Sequence, residues 1–309
     1  MSASVAQPPA QGAAAAAPLP ARAPSRSARL RTSRPLTVLL WLCALYFVAP
    51  LVWLLIASTK DNDDLFSTFG YAFGHFNLLE NLRGVFTLQG GIFLRWVANT
   101  VLYAGVGAVG ATLISTMAGY ALAKYDFPGS KVLFSATLGA IMIPLTALAI
   151  PTYLLFSQVG LTNTPLAVIL PSLVSPFGVY LVRVYAVDAV PDSLLEAARV
   201  DGGGEFRIFW QVSLRLLMPA VLTVLLFALV ATWNNYFLPL IMLSSSDLYP
   251  LTVGLAQWQS TSTTGGGGAQ ALFPLVITGS VVSVLPIVAA FLYLQRYWQS
   301  GLATGGVKE

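Results

Sequence analysis

The chain has 309 residues, of which 56% are hydrophobic and only 9% are charged, and its mean hydropathy is +0.75. This composition excludes a water-soluble globular domain and indicates that lipid surrounds most of the folded chain. The single cysteine, Cys43, excludes an intrachain disulfide and a cysteine-rich metal site.

Six stretches are long and apolar enough to cross about 30 Å of hydrocarbon. They cover residues 36–57, 97–123, 132–156, 166–182, 216–243 and 271–294. We therefore predict an all-α integral membrane protein with six transmembrane helices. The fourth stretch is the shortest and contains Pro171 and Pro176, so a broken helix is an open alternative there.

The basic residues predict the orientation of the chain, because cytoplasmic loops carry an excess of Lys and Arg. With the N-terminus in the cytoplasm, only Lys60, Arg83 and Arg95 of the 16 basic residues fall on the outer side. Both termini and the loop around Glu196 are then cytoplasmic. The isoelectric point near 9.2 reflects this topology, and no nucleic-acid partner is needed to explain it.

Four regions follow in chain order. Residues 1–34 are rich in Ala, Pro, Ser and Arg and are predicted to be a disordered cytoplasmic tail. Residues 35–91 hold the first transmembrane helix and an outer loop, residues 92–296 a core of five transmembrane helices with a cytoplasmic loop at 188–215, and residues 297–309 a second cytoplasmic tail.

Two outer segments are predicted. The segment from Lys60 to Arg95 is too polar to enter lipid, and the segment from Ser244 to Gln270 contains a flexible tract of four glycines, Gly265–Gly268. Long loops without obvious structure are usually functional or disordered. The second segment is equally well interpreted as a contact surface for an external partner or as a tether.

No catalytic constellation can be assembled from this sequence. His75 is the only histidine and lies in an outer loop without a second soft ligand, which favours a solvated or satisfied turn over a metal site. The run Gly202–Gly204 lacks the lysine and hydroxyl residue of a phosphate-binding loop. We expect no cofactor on this chain, and any ATP must be bound by another chain.

The cytoplasmic loop contains a short amphipathic segment that ends at Gly202. Pro191 and Asp192 suit a helix start and Gly202 suits a helix stop, which predicts a helix of about three turns. Leu194, Leu195 and Ala198 are expected near one face, and Glu196 and Arg199 can pair with each other or with charges on a partner. From Phe206 onward, aromatic residues at helical spacing predict a second amphipathic helix at the membrane surface.

These residues carry a family resemblance. Glu196-Ala197-Ala198, three residues and then Gly202 resembles the EAA loop of permease subunits of bacterial ABC importers. The pattern continues to Val212 and Leu214, but Arg215 stands where the family has a proline, and Pro219 is the next residue that can bend the helix. The resemblance implies that Glu196, Ala197, Ala198, Asp201 and Gly202 form a loop that couples the permease to an ATPase.

Three further segments are similar to the carbohydrate-uptake branch of these permeases, the maltose-type inner-membrane components. They are Ile150–Leu155, Trp233–Leu240 and the ending Gln295–Glu309. The resemblance implies a type I ABC importer permease bundle in the bacterial cell membrane. It also implies a sister permease subunit, which is either a different chain or a second copy, a dimer of cytoplasmic ATPase subunits that bind ATP and Mg, and an extracytoplasmic sugar-binding protein. Membrane lipid is the remaining partner.

Trp233, Asn234, Asn235 and Tyr236 are the least expected residues in any predicted span. Amides are costly in hydrocarbon unless they are paired, so they are expected to face the bundle interior or a watery cavity. They are candidates for the pathway of a sugar, and interhelical hydrogen bonding is the open alternative. Weaker candidates of the same kind are Asn99, Thr100, Gln158 and Thr278.

Two other function classes compete with an ATP-driven permease. A secondary transporter or channel is disfavoured because all 12 acidic residues fall outside the predicted spans, so no carboxylate is available inside them for proton or sodium coupling. A membrane-embedded enzyme is disfavoured because paired carboxylates and a nucleophile with its base are missing.

Overall fold

The computed structural model describes residues 33–264 and 272–304, and side chains up to residue 295. Within these residues the secondary structure is entirely helical. The helices are α1 Arg34–Ser58, α2 Asn62–Ser67, α3 Leu78–Thr87, α4 Ile92–Lys124, α5 Ser130–Ile141, α6 Leu145–Gln158, α7 Leu166–Ser172, α8 Pro176–Ala189, α9 Asp192–Val200, α10 Glu205–Ile208, α11 Leu214–Trp233, α12 Phe237–Met242, α13 Leu251–Thr264 and α14 Phe273–Thr304.

The chain divides into two compact units, one up to Val48 and one from Ala49 onward. The described part of the first unit is the beginning of α1, where large apolar side chains such as Trp41 and Phe47 are exposed. The second unit contains the remaining helices and the buried core. An exposed apolar helix of this length is what a membrane-spanning segment requires.

Five helical runs among the described residues are long and apolar enough to cross a membrane. They are Arg34–Ser58, Ile92–Lys124, Leu166–Ala189, Glu205–Trp233 and Phe273–Gln295. The pair α5 and α6 makes a sixth if it is counted as one span, although its two halves meet at a bend of 105°. The all-helical membrane fold predicted from the sequence is confirmed, and six spans are reached with this bent pair.

The sharpest break therefore lies in the third predicted span, where the sequence analysis expected none. Pro144 precedes α6 at the N-cap position and has no donor N–H, and its ring disfavours a helical conformation at Ile143. The fourth span is also interrupted, between α7 and α8, as the alternative allowed. Ser175 there caps α8 by accepting a 3.2 Å hydrogen bond from the Gly178 N–H. This span extends to Ala189, beyond the end at residue 182 that the sequence analysis expected.

The fifth predicted span ends early. The stretch 216–243 was expected to be one helix, but α11 stops at Trp233 and α12 begins at Phe237. Pro239 cannot donate to the carbonyl of Asn235 four residues earlier, and the Thr252 hydroxyl donates to that carbonyl instead, at 2.8 Å. Asn234, Asn235 and Tyr236 thus lie in a break between two helices.

The centre of the bundle is α4, which packs against α8 and α11 at close range. A Cβ atom on Gly119 would lie 2.7 Å from the Val179 carbonyl oxygen, and one on Gly178 would lie 2.7 Å from the Ser115 hydroxyl. Glycine at these two positions permits α4 and α8 to approach each other at the backbone. This contact fixes the half of the core nearer the Lys124 end of α4.

The two outer segments are more ordered than the sequence analysis expected. The first contains α2 and α3, and the second contains α13. Trp258 of α13 is buried and lies 4.9 Å, between ring centroids, from Trp96 of α4. Apolar residues separated by long loops in the sequence form this core, so local periodicity does not reveal it. The Gly265–Gly268 tract and the tail expected at residues 1–34, apart from its last two residues, lie outside the described residues.

Candidate functional site

The loop predicted to be cytoplasmic folds as a short helix with a glycine stop. Its helix, α9, has nine residues, about two and a half turns, and follows Pro191 at the N-cap position. Gly202 has a φ of +79°, its N–H donates to the Arg199 carbonyl, and the Gly203 N–H donates to the Ala198 carbonyl, both at 3.0 Å. This is a Schellman ending, which needs a left-handed residue just past the helix. The helix and its stop at Gly202 are confirmed.

One side of α9 is buried and the other is open. Leu195 is buried in a cluster with Val190 and Ile208, and Ala198 packs against the same cluster. Leu194, which was expected on the face of Leu195 and Ala198, is exposed instead. Glu196, Ala197 and Asp201 are exposed as well, and Val200 is 88% exposed. The open side is therefore a small apolar surface that carries carboxylates.

Both ends of α9 are tied to the end of α4. The Lys124 Nζ lies 2.9 Å from the Asp192 Oδ1 at the start of α9. At the other end, the Arg199 Nε donates to the Glu205 Oε1 at 2.6 Å, and the Tyr125 hydroxyl donates to the Glu205 Oε2 at 2.6 Å. We call these five residues the α9 clamp. It links the loop helix to a central helix of the bundle.

The protonation states of the clamp favour these bonds. Burial and the hydrogen bond to Glu205 raise the pKa of the Tyr125 hydroxyl well above its usual range. The hydrogen bond to Glu205 likewise raises the pKa of the Arg199 guanidinium. Tyr125 therefore remains a donor and Arg199 remains a cation throughout the neutral pH range.

Glu196 does not pair with Arg199, although their spacing permits it. Arg199 is bound to Glu205, six residues along the chain, because the Schellman turn brings the start of α10 back beside the end of α9. Among the described residues Glu196 forms no ion pair, and its side chain is exposed. Its carboxylate is free to meet a cation outside the chain.

The segment after the loop is not a separate surface helix. A π-helical turn, Phe209–Ser213, joins α10 to α11, so the run from Glu205 to Trp233 is continuous. Phe209 and Ser213 are buried, and the Ser213 hydroxyl donates to the Tyr120 hydroxyl at 3.1 Å. Arg215 stands at the position where the family pattern has a proline. The helix is instead made irregular by the π turn that ends two residues before it.

Trp233 and Asn234 have structural partners. Trp233 is buried, and its indole N–H donates to the Ser283 carbonyl of α14 at 3.2 Å. The Asn234 amide donates to the Val230 carbonyl of its own helix at 2.9 Å, while the residue is exposed. Trp233 thus forms the interhelical hydrogen bond that the sequence analysis kept as an alternative, whereas the bond of Asn234 stays within its own helix.

Asn235 and Tyr236 differ from their neighbours. Asn235 is half-buried and Tyr236 is exposed, and within the described residues neither side chain has a hydrogen-bond partner. Both lie in the break between α11 and α12. They offer an amide and an aromatic hydroxyl to a polar solute.

Three of the weaker candidates bind backbone groups. Asn99 donates to the Asp247 and Tyr249 carbonyls, at 2.8 and 3.0 Å. The Thr100 hydroxyl accepts from the Leu251 N–H at 2.8 Å, and Thr278 donates to the Ser58 carbonyl at 3.3 Å. These side chains hold the outer segments in place. Gln158, at the end of α6, is exposed.

The chain matches the family model described as binding-protein-dependent transport system inner membrane component, over residues 111–299. The chain belongs to this family. It is the membrane permease subunit of an ABC importer, a transport subunit whose ATPase is a separate subunit. Membership sets aside both a self-sufficient secondary transporter and a membrane-embedded enzyme.

Individual relatives match the permease over most of its length. It is 36% identical over 280 residues to the arabinooligosaccharides transport system permease protein AraQ of Halalkalibacterium halodurans, covering 88% of this chain and 97% of that protein. It is 29% identical to the lactose transport system permease protein LacG of Rhizobium radiobacter, covering 86% and 93%.

The fold is shared with a solved structure. A chain in the crystal structure of a bacterial ABC transporter involved in the import of the acidic polysaccharide alginate matches the permease with a TM-score of 0.74 at 24% identity. The match covers 85% of this chain and 95% of that chain. It establishes the permease bundle as the fold.

Sequence reasoning missed the α9 clamp of the permease. Lys124 and Tyr125 follow an apolar span, where a basic residue is common, and nothing local indicates that they meet Asp192 and Glu205. The signal that was available is Glu205 itself, a carboxylate three residues after Gly202 and immediately before the aromatic residues. Only the turn at Gly202 brings it to Arg199.

Proposed function

We propose that this permease translocates a carbohydrate and that α9 is its coupling helix. The observation that carries the proposal is the open side of α9, which is presented between two membrane spans while both ends of the helix are held by the α9 clamp. Family membership supports the transport function, and the names of the relatives support a carbohydrate as the solute.

A carbohydrate substrate is supported by three relatives. They are named for arabinooligosaccharides, for lactose and, in Bacillus subtilis, for melibiose, raffinose and stachyose import. These sugars differ in size and linkage but share many hydroxyl groups. Hydroxyl-rich solutes need paired donors and acceptors on their path, because unpaired polar groups are costly away from water.

Asn235 and Tyr236 are the residues of this chain that we assign to the sugar path. Each has an unpartnered polar group among the described residues, and each lies where the helix is interrupted inside the bundle. Irregular backbone at membrane depth is tolerated where it lines a watery cavity. Trp233 and Asn234 support the path through contacts within their own bundle.

Coupling is assigned to the exposed residues of α9. A short helix with Ala197 and Val200 on its open side can lie in a groove of a soluble partner, since small side chains permit close approach. Glu196, which has no ion-pair partner among the described residues, can pair with a cation of that partner. We assign the groove to the ATPase subunit, and Gly202 ends the helix so that the chain can return to the membrane.

The α9 clamp transmits the motion of α9 to the bundle. ATP-driven closure of two ATPase subunits displaces α9, and the clamp passes this displacement to α4, which packs against α8 and α11. The cavity then changes from inward-facing to outward-facing. ATP and Mg remain on the ATPase subunits, and this chain supplies no ligand to them.

The assembly and its orientation complete the proposal. We place both termini and α9 in the cytoplasm, from the distribution of Lys and Arg. A sister permease subunit completes the pathway in the bacterial cell membrane, an ATPase dimer docks on the cytoplasmic side, and a sugar-binding protein docks on the outer side.

The test is affinity purification of the tagged chain from native membranes, with ATPase and sugar uptake measured after reconstitution. Glu196→Ala is compared with Asp126→Ala, which removes an exposed carboxylate from the loop between α4 and α5. We expect wild type and Asp126→Ala to retain the ATPase and couple hydrolysis to uptake. Glu196→Ala should insert normally but lose the ATPase or hydrolyse ATP without uptake.

Two results would contradict the proposal. Full uptake by Glu196→Ala would remove α9 from the coupling path. Uptake of an amino acid or peptide, with no response to any oligosaccharide, would overturn the carbohydrate assignment and leave the coupling role intact.

A further inference from the structure

The segment between α1 and α3 carries an unusual run of exposed aromatic side chains. No Asp, Glu, Lys or Arg occurs between Asp64 and Glu80. We call residues 65–76 the aromatic loop. Its exposed aromatic residues, with their exposed fractions, are Phe66 65%, Phe69 75%, Tyr71 45%, Phe73 69% and Phe76 70%. A soluble loop does not usually present so much contiguous apolar surface to water.

The beginning of the aromatic loop is fixed by a buried lysine. Lys60 is only 1% exposed, and its Nζ donates to the Thr68 hydroxyl at 2.8 Å and to the Phe69 carbonyl at 3.0 Å. A buried ammonium group needs such partners, because desolvation is costly. Lys60 thereby turns the chain back after α2.

The end of the aromatic loop is closed by polar contacts that lie near those of Lys60. The His75 N–H and its Nδ1 lie 2.6 and 3.0 Å from the Asp64 Oδ2, as expected for a satisfied turn. The Asn77 N–H donates to the Thr59 carbonyl at 2.7 Å. The aromatic loop is thus a hairpin whose polar neck sits at the Ser58 end of α1.

The tip of the hairpin runs back along α1. The Tyr71 hydroxyl lies 3.4 Å from the Ala49 carbonyl oxygen, and a Cβ atom on Gly70 would lie 2.8 Å from the Trp53 indole nitrogen. Ala49 precedes Ser58 by nine residues, so the hydroxyl reaches roughly 13 Å along the helix axis from the polar end of α1. Half of the hydrocarbon thickness is about 15 Å.

We propose that the aromatic loop is inserted in the membrane leaflet at the Ser58 end of α1 and contacts phospholipid there. The exposed apolar side chains Leu51 and Leu55 of α1 lie at the same level of this membrane span, on the side of the helix away from Ala49 and Trp53, so this level of α1 offers apolar surface beyond the loop itself. The proposal departs from the expectation that the whole segment from Lys60 to Arg95 stays out of lipid. The aromatic side chains pack between lipid chains while the polar neck remains in the interface.

The position of the loop tip along α1 favours lipid over a soluble partner as its neighbour. A binding protein on the aqueous side can reach the neck, but the tip lies beside Ala49, within the span. The inference needs only that α1 crosses the membrane, and it does not depend on the solute or on the coupling role of α9. A sister permease subunit is the remaining occupant of that depth, and the experiment tests it.

The experiment uses the assembled transporter in phosphatidylglycerol-containing liposomes. In a Cys43→Ser background, single cysteines at Phe69, Phe73 and Phe76 are spin-labelled, and collisions with oxygen and with a water-soluble nickel complex are measured. Leu55→Cys is the lipid reference and Glu80→Cys, an exposed residue of α3, is the aqueous reference. We expect the oxygen-to-nickel ratio of the loop labels to match Leu55 and to exceed Glu80 several-fold.

A second measurement uses the wild-type chain, so that its result does not depend on how the cysteine variants fold. Phospholipid with a photoactivatable carbene precursor on its acyl chain is added to the same liposomes, and the labelled peptides are identified. Adducts on residues 65–76 support the inference. A nickel accessibility equal to that of Glu80 places the loop in water, and low accessibility to both reagents without lipid adducts places it against another subunit; either result overturns the proposal.

Discussion

The two ends of α4 hold their neighbours in different ways. At one end, buried side chains bind backbone: the Trp96 indole N–H donates to the Ser246 carbonyl and the Tyr103 hydroxyl to the Leu248 carbonyl, both at 2.9 Å. At the other end, Lys124 and Tyr125 bind carboxylates that are largely exposed. Breaking a buried hydrogen bond costs about 1–3 kcal/mol, whereas an exposed ion pair contributes only about 0–1 kcal/mol. The Trp96 end is therefore the more firmly held, and in the proposed coupling the Lys124 end is the one that the ATPase moves.

The largest effect is expected at the fixed end, from Trp96→Ala. Trp96 is fully buried against Trp258, so the truncation should lower the free energy of unfolding by about 3–5 kcal/mol. Thermal unfolding of the detergent-solubilised protein measures this loss. Trp41→Ala, which removes an exposed indole, should change it little, and equal effects of the two variants would show that Trp96 does not anchor the outer core.

The second-largest effect is expected at the Arg199–Glu205 pair, on the stimulation of the ATPase and not on the stability of the protein. Arg199→Glu and Glu205→Arg each place like charges together where an ion pair stood, and each should abolish sugar-dependent stimulation of the ATPase without loss of the assembled transporter. The double variant Arg199→Glu/Glu205→Arg restores opposite charges and should recover a large part of the stimulation. ATPase assays in proteoliposomes with and without binding protein and sugar measure it.

The charge-reversal experiment can also contradict the proposed role of the Arg199–Glu205 pair. If the double variant is as inactive as either single variant while the complex remains assembled, the Arg199–Glu205 pair does not transmit motion. Unchanged stimulation in both single variants would lead to the same conclusion.

A smaller effect should distinguish two adjacent amides. Asn235 has no partner among the described side chains, whereas Asn234 is bonded within its own helix. Asn235→Ala should raise the KM of uptake several-fold, because a single hydrogen bond to a neutral solute contributes about 0.5–1.5 kcal/mol. Asn234→Ala should leave KM near the wild-type value. Initial rates of labelled sugar uptake measure both, and a reversed order would move the path away from Asn235.

The smallest effect is expected from Lys124→Gln. The Lys124 side chain is 5% exposed and its partner Asp192 is 78% exposed, so the pair is screened on the carboxylate side, and because glutamine keeps part of the buried stem the loss should cost about 1 kcal/mol of stability. The ratio of sugar transported to ATP hydrolysed should nevertheless fall, because the start of α9 is released from α4. A drop of several kcal/mol in unfolding free energy with a normal transport ratio would reverse this assignment.

The sequence predicts those features that depend on neighbouring residues. The helix α9 and its stop at Gly202 follow from Pro191, Asp192 and the glycine, and the spans follow from long apolar stretches. The bend at Pro144 was missed because apolar composition continues across it. The contact of Trp96 with Ser246 joins residues 150 positions apart, and the clamp joins α9 to Lys124, 68 positions before Asp192. Pairings of this kind depend on how the helices pack and leave no local pattern.

The most direct test of the central claim is chemical cross-linking from α9 to the ATPase in native membranes. In a Cys43→Ser background, Val200→Cys places a thiol on α9 at a residue that is 88% exposed, and Glu80→Cys places one on α3 at the other end of the bundle. With a membrane-permeable bifunctional reagent, we expect Val200→Cys to cross-link to the ATPase subunit, with a yield that changes when ATP is added, and Glu80→Cys not to cross-link. No ATPase adduct from Val200→Cys, in a complex that still transports, would contradict the account.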